Sequence, residues 1–146
     1  MRVLRTVLAL LLALLLCGAA LGEAPADEAS PMPAEDAAPS PAKAYVLVST
    51  ATQSGWLPLP EEGEVSYPLR QVLPDGTEAV NVIHLTPEGV YMEDSTCANH
   101  DCIDEGMVTL ENRGERILGN MIVCLPNQVC LQLYTPEEVL ELMKGE

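Results

Sequence analysis

The stretch "EAVNVIHLTPEGVYMED", residues 78–94, decides the fold class. Its first half alternates along the chain, with one side formed by Ala79, Asn81, Ile83 and Leu85 and the other by Val80, Val82 and His84. A period of two is typical of a β-strand. "PEG" at 87–89 signals a turn and "VYMED" begins a second strand, so the stretch is expected to form a hairpin. His84 is expected to be a partly exposed strand residue.

Short apolar runs on both sides of this hairpin predict further strands, because they are separated by Gly, Pro, Asn or Asp. The candidates are residues 44–50, 64–70, 107–110, 116–125 and 128–134, with "LPLPEEG" at 57–63 as a loop. The sequence therefore predicts an all-β fold, a small single-domain β-sandwich or barrel of short antiparallel strands.

The C-terminal stretch "TPEEVLELMKG", residues 135–145, changes to a helical period. Thr135 is the predicted N-cap, with Pro136 in the first turn, Glu138 three residues after the cap and Gly145 as the stop. One face of this short helix would carry Val139, Leu140 and Met143. We expect the helix to pack on the β domain; the alternative is a helix that docks on a partner.

The first 22 residues have the layout of a secretory signal peptide. Arg2 and Arg5 precede an uncharged, Leu-rich run that ends in small residues, so cleavage is expected to leave Glu23 as the mature start. Two alternatives stay open, an uncleaved membrane anchor and lipid attachment at Cys17.

Residues 23–43 are nearly all Ala, Pro, Ser and acidic residues, a composition that buries too little apolar surface to fold. They are expected to form a disordered linker, which leaves 44–146 as the β domain. The expected location is secreted or on the cell surface, with membrane attachment through the N-terminal segment as the alternative.

The charge of the chain excludes nucleic acid as an expected partner. The chain carries 22 acidic and 7 basic residues and a net charge of −15, whereas phosphate binding depends on clustered Lys and Arg.

No nucleophile motif surrounds Ser95 and Thr96, which are expected to be turn residues. The acidic residues Asp101, Asp104 and Glu105 lack the spacing of a calcium loop. The sequence predicts no enzyme activity and no cofactor.

The stretch "DSTCANHDCIDEG", residues 94–106, raises the question of what its cysteines do. In an oxidising compartment Cys97 and Cys102 are expected to form a disulfide that closes a tight turn and contributes about 2 kcal/mol. A bridge from Cys102 to Cys124 would contribute about 3 kcal/mol, so energy alone does not choose. The alternative is a thiol redox or zinc site that uses Cys97, His100, Cys102 and Cys124.

Cys130 completes an even set of four cysteines after the signal peptide. If residues 126–128 form a three-residue turn, Cys124 and Cys130 lie opposite one another and a disulfide between them is allowed. With a two-residue turn they point to opposite faces. The sequence leaves both possibilities open.

Residues 90–134 resemble the NusG domain II family, small β domains that occur as secreted or membrane-anchored proteins. The resemblance rests on "DSTCANHDCIDEGMV" and on "IVCLPNQV". Its motif positions are Cys97, Cys102, Cys124, Gly106, Leu125, Pro126 and Asn127. The chain departs from the pattern in the longer segment 110–120 and in Cys130, where an aliphatic residue is expected. The resemblance implies a fold and recurrent cysteines but no catalytic residues.

The expected function is that of a non-enzymatic extracellular or cell-envelope β domain acting through contacts with a protein partner. The first alternative is the thiol redox or zinc-binding protein described above. A second alternative, transcription-related binding by analogy with NusG, is opposed by the signal peptide and by the charge.

Overall fold

A computed structural model describes residues 42–145. Within this range the elements, in chain order, are the strands β1 (Tyr45–Ser49), β2 (Ser54–Pro58), β3 (Val65–Val72), β4 (Glu78–Leu85) and β5 (Gly89–Ser95), helix α1 (Asp101–Asp104), strands β6 (Val108–Thr109), β7 (Met121–Cys124) and β8 (Val129–Tyr134), and helix α2 (Pro136–Lys144). The predicted signal peptide with Cys17, and nearly all of the predicted linker, lie outside the described residues.

The strands form two antiparallel sheets of four strands each. The first sheet has the order β2-β1-β8-β7 and the second the order β3-β4-β5-β6. Both contribute side chains to one buried cluster, including Val46, Ile122 and Leu131 from the first sheet and Leu69, Ile83, Met92 and Val108 from the second. The all-β prediction is confirmed, and two sheets with a shared core make the fold a sandwich rather than a barrel.

The hairpin predicted from residues 78–94 is confirmed as β4 and β5. The main error of the strand prediction is β2, which was not predicted and ends in the first two residues of the expected loop. The strand was missed because Gly55 and Pro58 are residues that usually interrupt strands. Pro58 is tolerated because β2 is an edge strand. Residues 116–120 form turns instead of the first half of a strand, and α1 was not predicted.

His84 is buried rather than partly exposed, with 8% of its surface accessible. The ring of Tyr91 covers it at a centroid distance of 4.7 Å. Its Nδ1 lies 2.9 Å from Ser66 Oγ and 3.3 Å from a Glu93 oxygen, and its Nε2 lies 3.2 Å from a Glu64 oxygen. The prediction failed because alternation along β4 shows only which face His84 is on. It does not show that Tyr91 and Glu93 of β5, and Glu64 just before β3, cover the ring.

A β-bulge in β5 sets which side chains enter the core beyond Met92. Ile83 pairs with Met92 but Val82 pairs with Asp94, so Glu93 is the extra residue. As a result Ser95 stands opposite Asn81 and is buried, whereas Asp94 is exposed. Without the bulge, the alternation would turn the Asp94 carboxylate into the core.

Helix α2 begins and ends as predicted, with a capping box between Thr135 and Glu138. It covers one end of the outer face of the first sheet, where Val139 packs with Tyr45 and with Trp56 and Tyr134, whose rings meet edge to face at 5.7 Å. Only Val139 of the predicted apolar face is buried. Between residues 42 and 145, neither helix is long and apolar enough to cross a bilayer.

The β7–β8 turn decides between the two arrangements left open for Cys124 and Cys130. Gln128 N donates to Leu125 O at 3.1 Å, and Cys124 pairs with Val129 while Val123 pairs with Cys130. This is the register of the two-residue turn, so the three-residue alternative is wrong. Cys124 points into the core and Cys130 to the outer face of the first sheet.

Gly89 should not tolerate a side chain, because a Cβ there would lie 2.0 Å from the backbone oxygen of Val108 on β6. We expect Gly89→Ala to lower the free energy of unfolding by about 1–3 kcal/mol. Gly114→Ala is the matched control, since nothing lies within 4 Å of its added Cβ. It should change stability by less than about 0.5 kcal/mol. Equal urea midpoints for the two variants would contradict the close β5–β6 packing.

Candidate functional site

Three buried cysteines converge in the core, and we call Cys97, Cys102 and Cys124 the thiol cluster. Their Sγ atoms all lie within 4.8 Å of one another, and those of Cys97 and Cys102 are 3.6 Å apart. The exposed fractions of the three residues are 3%, 1% and 1%. Cys97 follows β5 of the second sheet and Cys124 ends β7 of the first, so the cluster joins the two halves of the sandwich.

The helical turn that carries Cys102 is bounded by two residues in left-handed conformations. His100 has φ 57° and precedes α1, and Gly106 has φ 69° and follows it. The amide of Ile103 donates to His100 O at 2.9 Å, and that of Gly106 donates to Ile103 O at 3.1 Å. Gly106 thus occupies its motif position because it leaves the helical turn with a positive φ.

Of the four residues considered as zinc ligands, three are brought together. The exception is His100, whose ring Nε2 lies 3.1 Å from the backbone oxygen of Ser95 and whose side chain is outside the thiol cluster. Within residues 42–145 the four cysteines are free thiols. A disulfide between Cys97 and Cys102 therefore stays a prediction; their sulfurs would have to approach to about 2.05 Å.

The thiols of Cys97 and Cys102 differ in their pKa. Burial raises the pKa of the Cys102 thiol to about 12, and the neighbouring thiols of Cys124 and Cys97 add to that rise. Burial also raises the pKa of Cys97, but hydrogen bonds from Ser95, the other two thiols and the backbone of His100 outweigh it, so the net pKa is lowered. Cys97 is therefore the thiol of this pair that ionises first.

A buried polar network lies against the thiol cluster and was not recognised from the sequence. Asn127 Nδ2 donates to Asn81 Oδ1 at 2.9 Å and to Ser95 Oγ at 3.2 Å. Asn81 Nδ2 also donates to Ser95 Oγ, at 3.0 Å. We call Asn81, Ser95 and Asn127 the polar network. Asn81, a lone amide on the apolar side of β4, was the only sign of it in the sequence.

Ser95 connects the polar network to the thiol cluster, rather than lying in a turn as expected. Its Oγ accepts the backbone N–H of Cys97 at 3.2 Å and lies 3.7 Å from Cys124 Sγ. Because this oxygen already accepts several N–H groups, its own proton is available to the sulfur of Cys124. Ser95 therefore supplies a hydrogen-bond donor to a buried thiol.

A cavity of about 240 Å³ opens beside Cys102 and Cys124. Its wall also contains Asn99, Asp101, Glu105, Leu118, Val123, Leu125 and Pro126. Glu105 accepts the N–H of Val123 at 3.0 Å, and burial raises the pKa of its carboxyl group. The motif residues Leu125 and Pro126 are exposed at this opening, whereas Asn127 is buried in the network.

The segment 110–120, which is longer than the family pattern, is fixed beside this cavity by two arginines. Arg113 forms an ion pair with Glu138 of α2 at 2.6 Å. Arg116 donates to Glu105 O at 2.7 Å and to Met121 O at 3.4 Å. The segment is therefore held both to α2 and to the edge of the first sheet.

A second concave region lies on the outer face of the first sheet, and we call it the groove. It has a volume of about 580 Å³ and runs between the sheet and the end of α2. Its lining is formed by Leu47, Ser54, Trp56, Glu141, Leu142, Met143 and Gly145. The side chains of Leu142 and Met143 remain nearly half exposed there.

Comparison with known families agrees with the cysteine and turn motifs. The model of the NusG domain II family matches residues 8–136. The chain belongs to this family. The match covers the thiol cluster, the polar network and strands β1 and β2, which line the groove. It begins inside the predicted signal peptide. Among curated proteins, none matches the chain significantly.

Several solved structures are similar to this NusG domain II protein at low sequence identity. The crystal structure of the Lin0431 protein from Listeria innocua has a TM-score of 0.50 and 15% identity, covering 64% of this chain and 97% of that chain. Its solution NMR structure gives 0.52 and 14%, covering 68% and 80%. A DUF1312 family protein from Enterococcus faecalis gives 0.48 and 17%, covering 64% and 98%. At these identities the Lin0431 structures establish the fold alone.

Asn127 should be worth more to stability than its position in a turn suggests. We expect Asn127→Ala to lower the free energy of unfolding by about 1–3 kcal/mol, because it removes the donor to the buried oxygen Asn81 Oδ1. Asn99→Ala is the matched control, since Asn99 is exposed and bonds only Asp101 among the described contacts. It should cost less than about 0.5 kcal/mol. Similar losses in urea denaturation of the two variants would contradict the role of the network.

Oxidation should join Cys97 to Cys102, because theirs is the sulfur pair at 3.6 Å and a short chain already holds them together. Non-reduced peptide mapping of air-oxidised protein by mass spectrometry should recover this linkage with Cys124 unpaired. The bridge should add about 2 kcal/mol to stability. A peptide linking Cys124 to either partner would show that the pairing is wrong.

Proposed function

We propose that this NusG domain II protein is a non-enzymatic extracellular or cell-envelope domain that acts by binding a protein partner in the groove. The predicted signal peptide and linker support the location. The observation that carries the binding role is the groove, where apolar side chains from Leu47, Trp56, Leu142 and Met143 surround an open cavity of about 580 Å³.

The expected partner is an apolar peptide segment that also carries basic residues. Leu142 and Met143 offer apolar surface that α2 leaves uncovered. Glu141 lies in the same wall but already pairs with Lys144 at 3.0 Å, so the preference for basic residues rests on the charge of the chain. The chain as a whole has a net charge of −15, which attracts a basic partner and repels an acidic one. The groove also adjoins β2, an edge strand that pairs only with β1 within residues 42–145. An extended peptide could therefore add hydrogen bonds to β2 while its side chains enter the groove.

The hydroxyls of Ser66 and Ser95 are already engaged in other hydrogen bonds. Ser66 Oγ donates to Glu93 at 2.6 Å, so its proton is directed at the carboxylate instead of His84. Ser95 Oγ is enclosed in the polar network. In neither place is a hydroxyl arranged with a free histidine as its base.

Two substitutions in the groove should strongly reduce capture of the partner. We expect the double variant Leu142→Lys, Met143→Lys to recover at least about 10-fold less of the captured envelope protein than wild type, because it replaces apolar contacts with charges that repel a basic partner. Val72→Lys is the matched control, since Val72 is exposed on the other sheet. It should leave capture unchanged.

Capture can be measured by chemical cross-linking in envelope extract followed by quantitative mass spectrometry. High salt should weaken it, because the net charge of −15 on the chain attracts basic residues of the partner. Equal loss in the groove variant and in Val72→Lys, or no loss in either, would contradict binding at this site.

A further inference from the structure

We propose that the reduced thiol cluster is a binding site for one soft monovalent metal ion, Cu(I), held by the thiolates of Cys97, Cys102 and Cys124. This inference does not depend on the groove or on the proposed partner. It rests on the convergence of three buried sulfurs from separate elements of the fold.

The spacing of the sulfurs fits three-coordinate binding. Metal–thiolate bonds are about 2.3 Å long, so three sulfurs around one ion in a plane are separated by about 4 Å. The Sγ atoms of Cys97 and Cys102 are 3.6 Å apart and all three lie within 4.8 Å. Only small side-chain movements would be required, and all three sulfurs would be used, whereas a disulfide uses two.

The donor set selects the class of ion. Thiolates favour soft ions, above all Cu(I) and Zn(II). A structural zinc site needs a fourth ligand, and within the described residues His100 is turned toward Ser95 O instead. Among residues 42–145, Cys97, Cys102 and Cys124 are the only potential ligands that converge there. A site with three sulfur ligands and no fourth protein ligand suits Cu(I) better than Zn(II).

The approach to the cluster is acidic. The cavity of about 240 Å³ reaches Cys102 and Cys124, and the carboxylates of Asp101 and Glu105 lie in its wall. These charges raise the local concentration of cations at the opening. Once an ion is bound, the hydroxyl of Ser95 can donate to Cys124 Sγ, as its distance of 3.7 Å allows. The thiol cluster, the Ser95 hydroxyl and the cavity that reaches the cluster therefore form one site.

Binding exchanges protons for the metal ion. Three thiols lose three protons to solvent, three metal–sulfur bonds form, and the oxidation state of Cu(I) does not change. A Cys97–Cys102 disulfide would remove two of the three ligands. The oxidised protein should therefore not bind Cu(I), so the disulfide and the metal site are alternative states of the same sulfurs.

The test is an anaerobic titration of the reduced full chain with Cu(I) in competition with a chromophoric Cu(I) chelator. We expect one ion per chain, a near-ultraviolet thiolate-to-copper absorption band, and three sulfur neighbours by X-ray absorption spectroscopy. Cys124→Ser should weaken binding by at least about 100-fold, because loss of a ligand costs more than loss of a supporting residue. Cys130→Ser is the matched control and should bind like wild type, since Cys130 faces the opposite side of the sheet.

Three outcomes would overturn the proposal. The first is no retention of Cu(I) against the chelator by the reduced wild-type chain. The second is equal affinity of wild type and Cys124→Ser. The third is a bound copper ion with nitrogen or oxygen neighbours, because the site would then include a ligand other than the three sulfurs. The neighbour count is made on wild-type protein, so it decides the question even if Cys124→Ser fails to fold.

Discussion

The hydrogen bonds among Asn81, Ser95 and Asn127 are the constraint on which the arrangement of this protein depends. Asn81 and Ser95 belong to the second sheet, and Asn127 lies in a turn of the first. In a largely apolar core, the bonds from Asn127 Nδ2 to Asn81 and Ser95 form only if the two sheets keep their relative position. Apolar contacts alone would tolerate a shift between the sheets, whereas these bonds do not. The network therefore specifies one alignment of the sandwich.

The position of the thiol cluster follows from that alignment. The bulge at Glu93 turns Ser95 inward, and Ser95 then fixes the backbone of Cys97 and touches Cys124. Cys102 is added by the single turn of α1. The cluster thus lies where both sheets and the short helix meet, so its geometry depends on contacts that are far apart in sequence. Any substitution that loosens the network should also spread the sulfurs.

The part of this structure that could be predicted from sequence is the part that depends on local patterns. Alternation predicted β4 and its hairpin, and the cap residues predicted α2 because Thr135 and Glu138 act on neighbouring backbone groups. The β2 strand was missed because Gly55 and Pro58 look like breakers, and an edge position makes them acceptable. The burial of His84 was missed because its cover comes from side chains at 64, 91 and 93.

The site shows the same division between local and non-local information. Cys97 and Cys102 are close in sequence, so their proximity could be predicted from spacing. The approach of Cys124 depends on the register of β7 and on how the sheets pack, and no local pattern encodes either. The resemblance to the family marked Cys124 as recurrent without showing where it lies. The bulge that turns Ser95 inward likewise adds one residue that alternation cannot reveal.

The two edge strands of the first sheet, β7 and β2, differ in how far other side chains cover them, and this affects where a partner could bind. At β7, Glu105 accepts the N–H of Val123 and Arg116 donates to Met121 O, so side chains from the adjoining segments occupy backbone groups of that edge. Side chains that cover an edge in this way prevent another strand from pairing with it. The β2 edge lies beside the groove, and the exposed side chains of Leu142 and Met143 of α2 line the same groove. A peptide that pairs with the first sheet therefore meets less obstruction at β2, which is the edge where apolar side chains are also available to receive it.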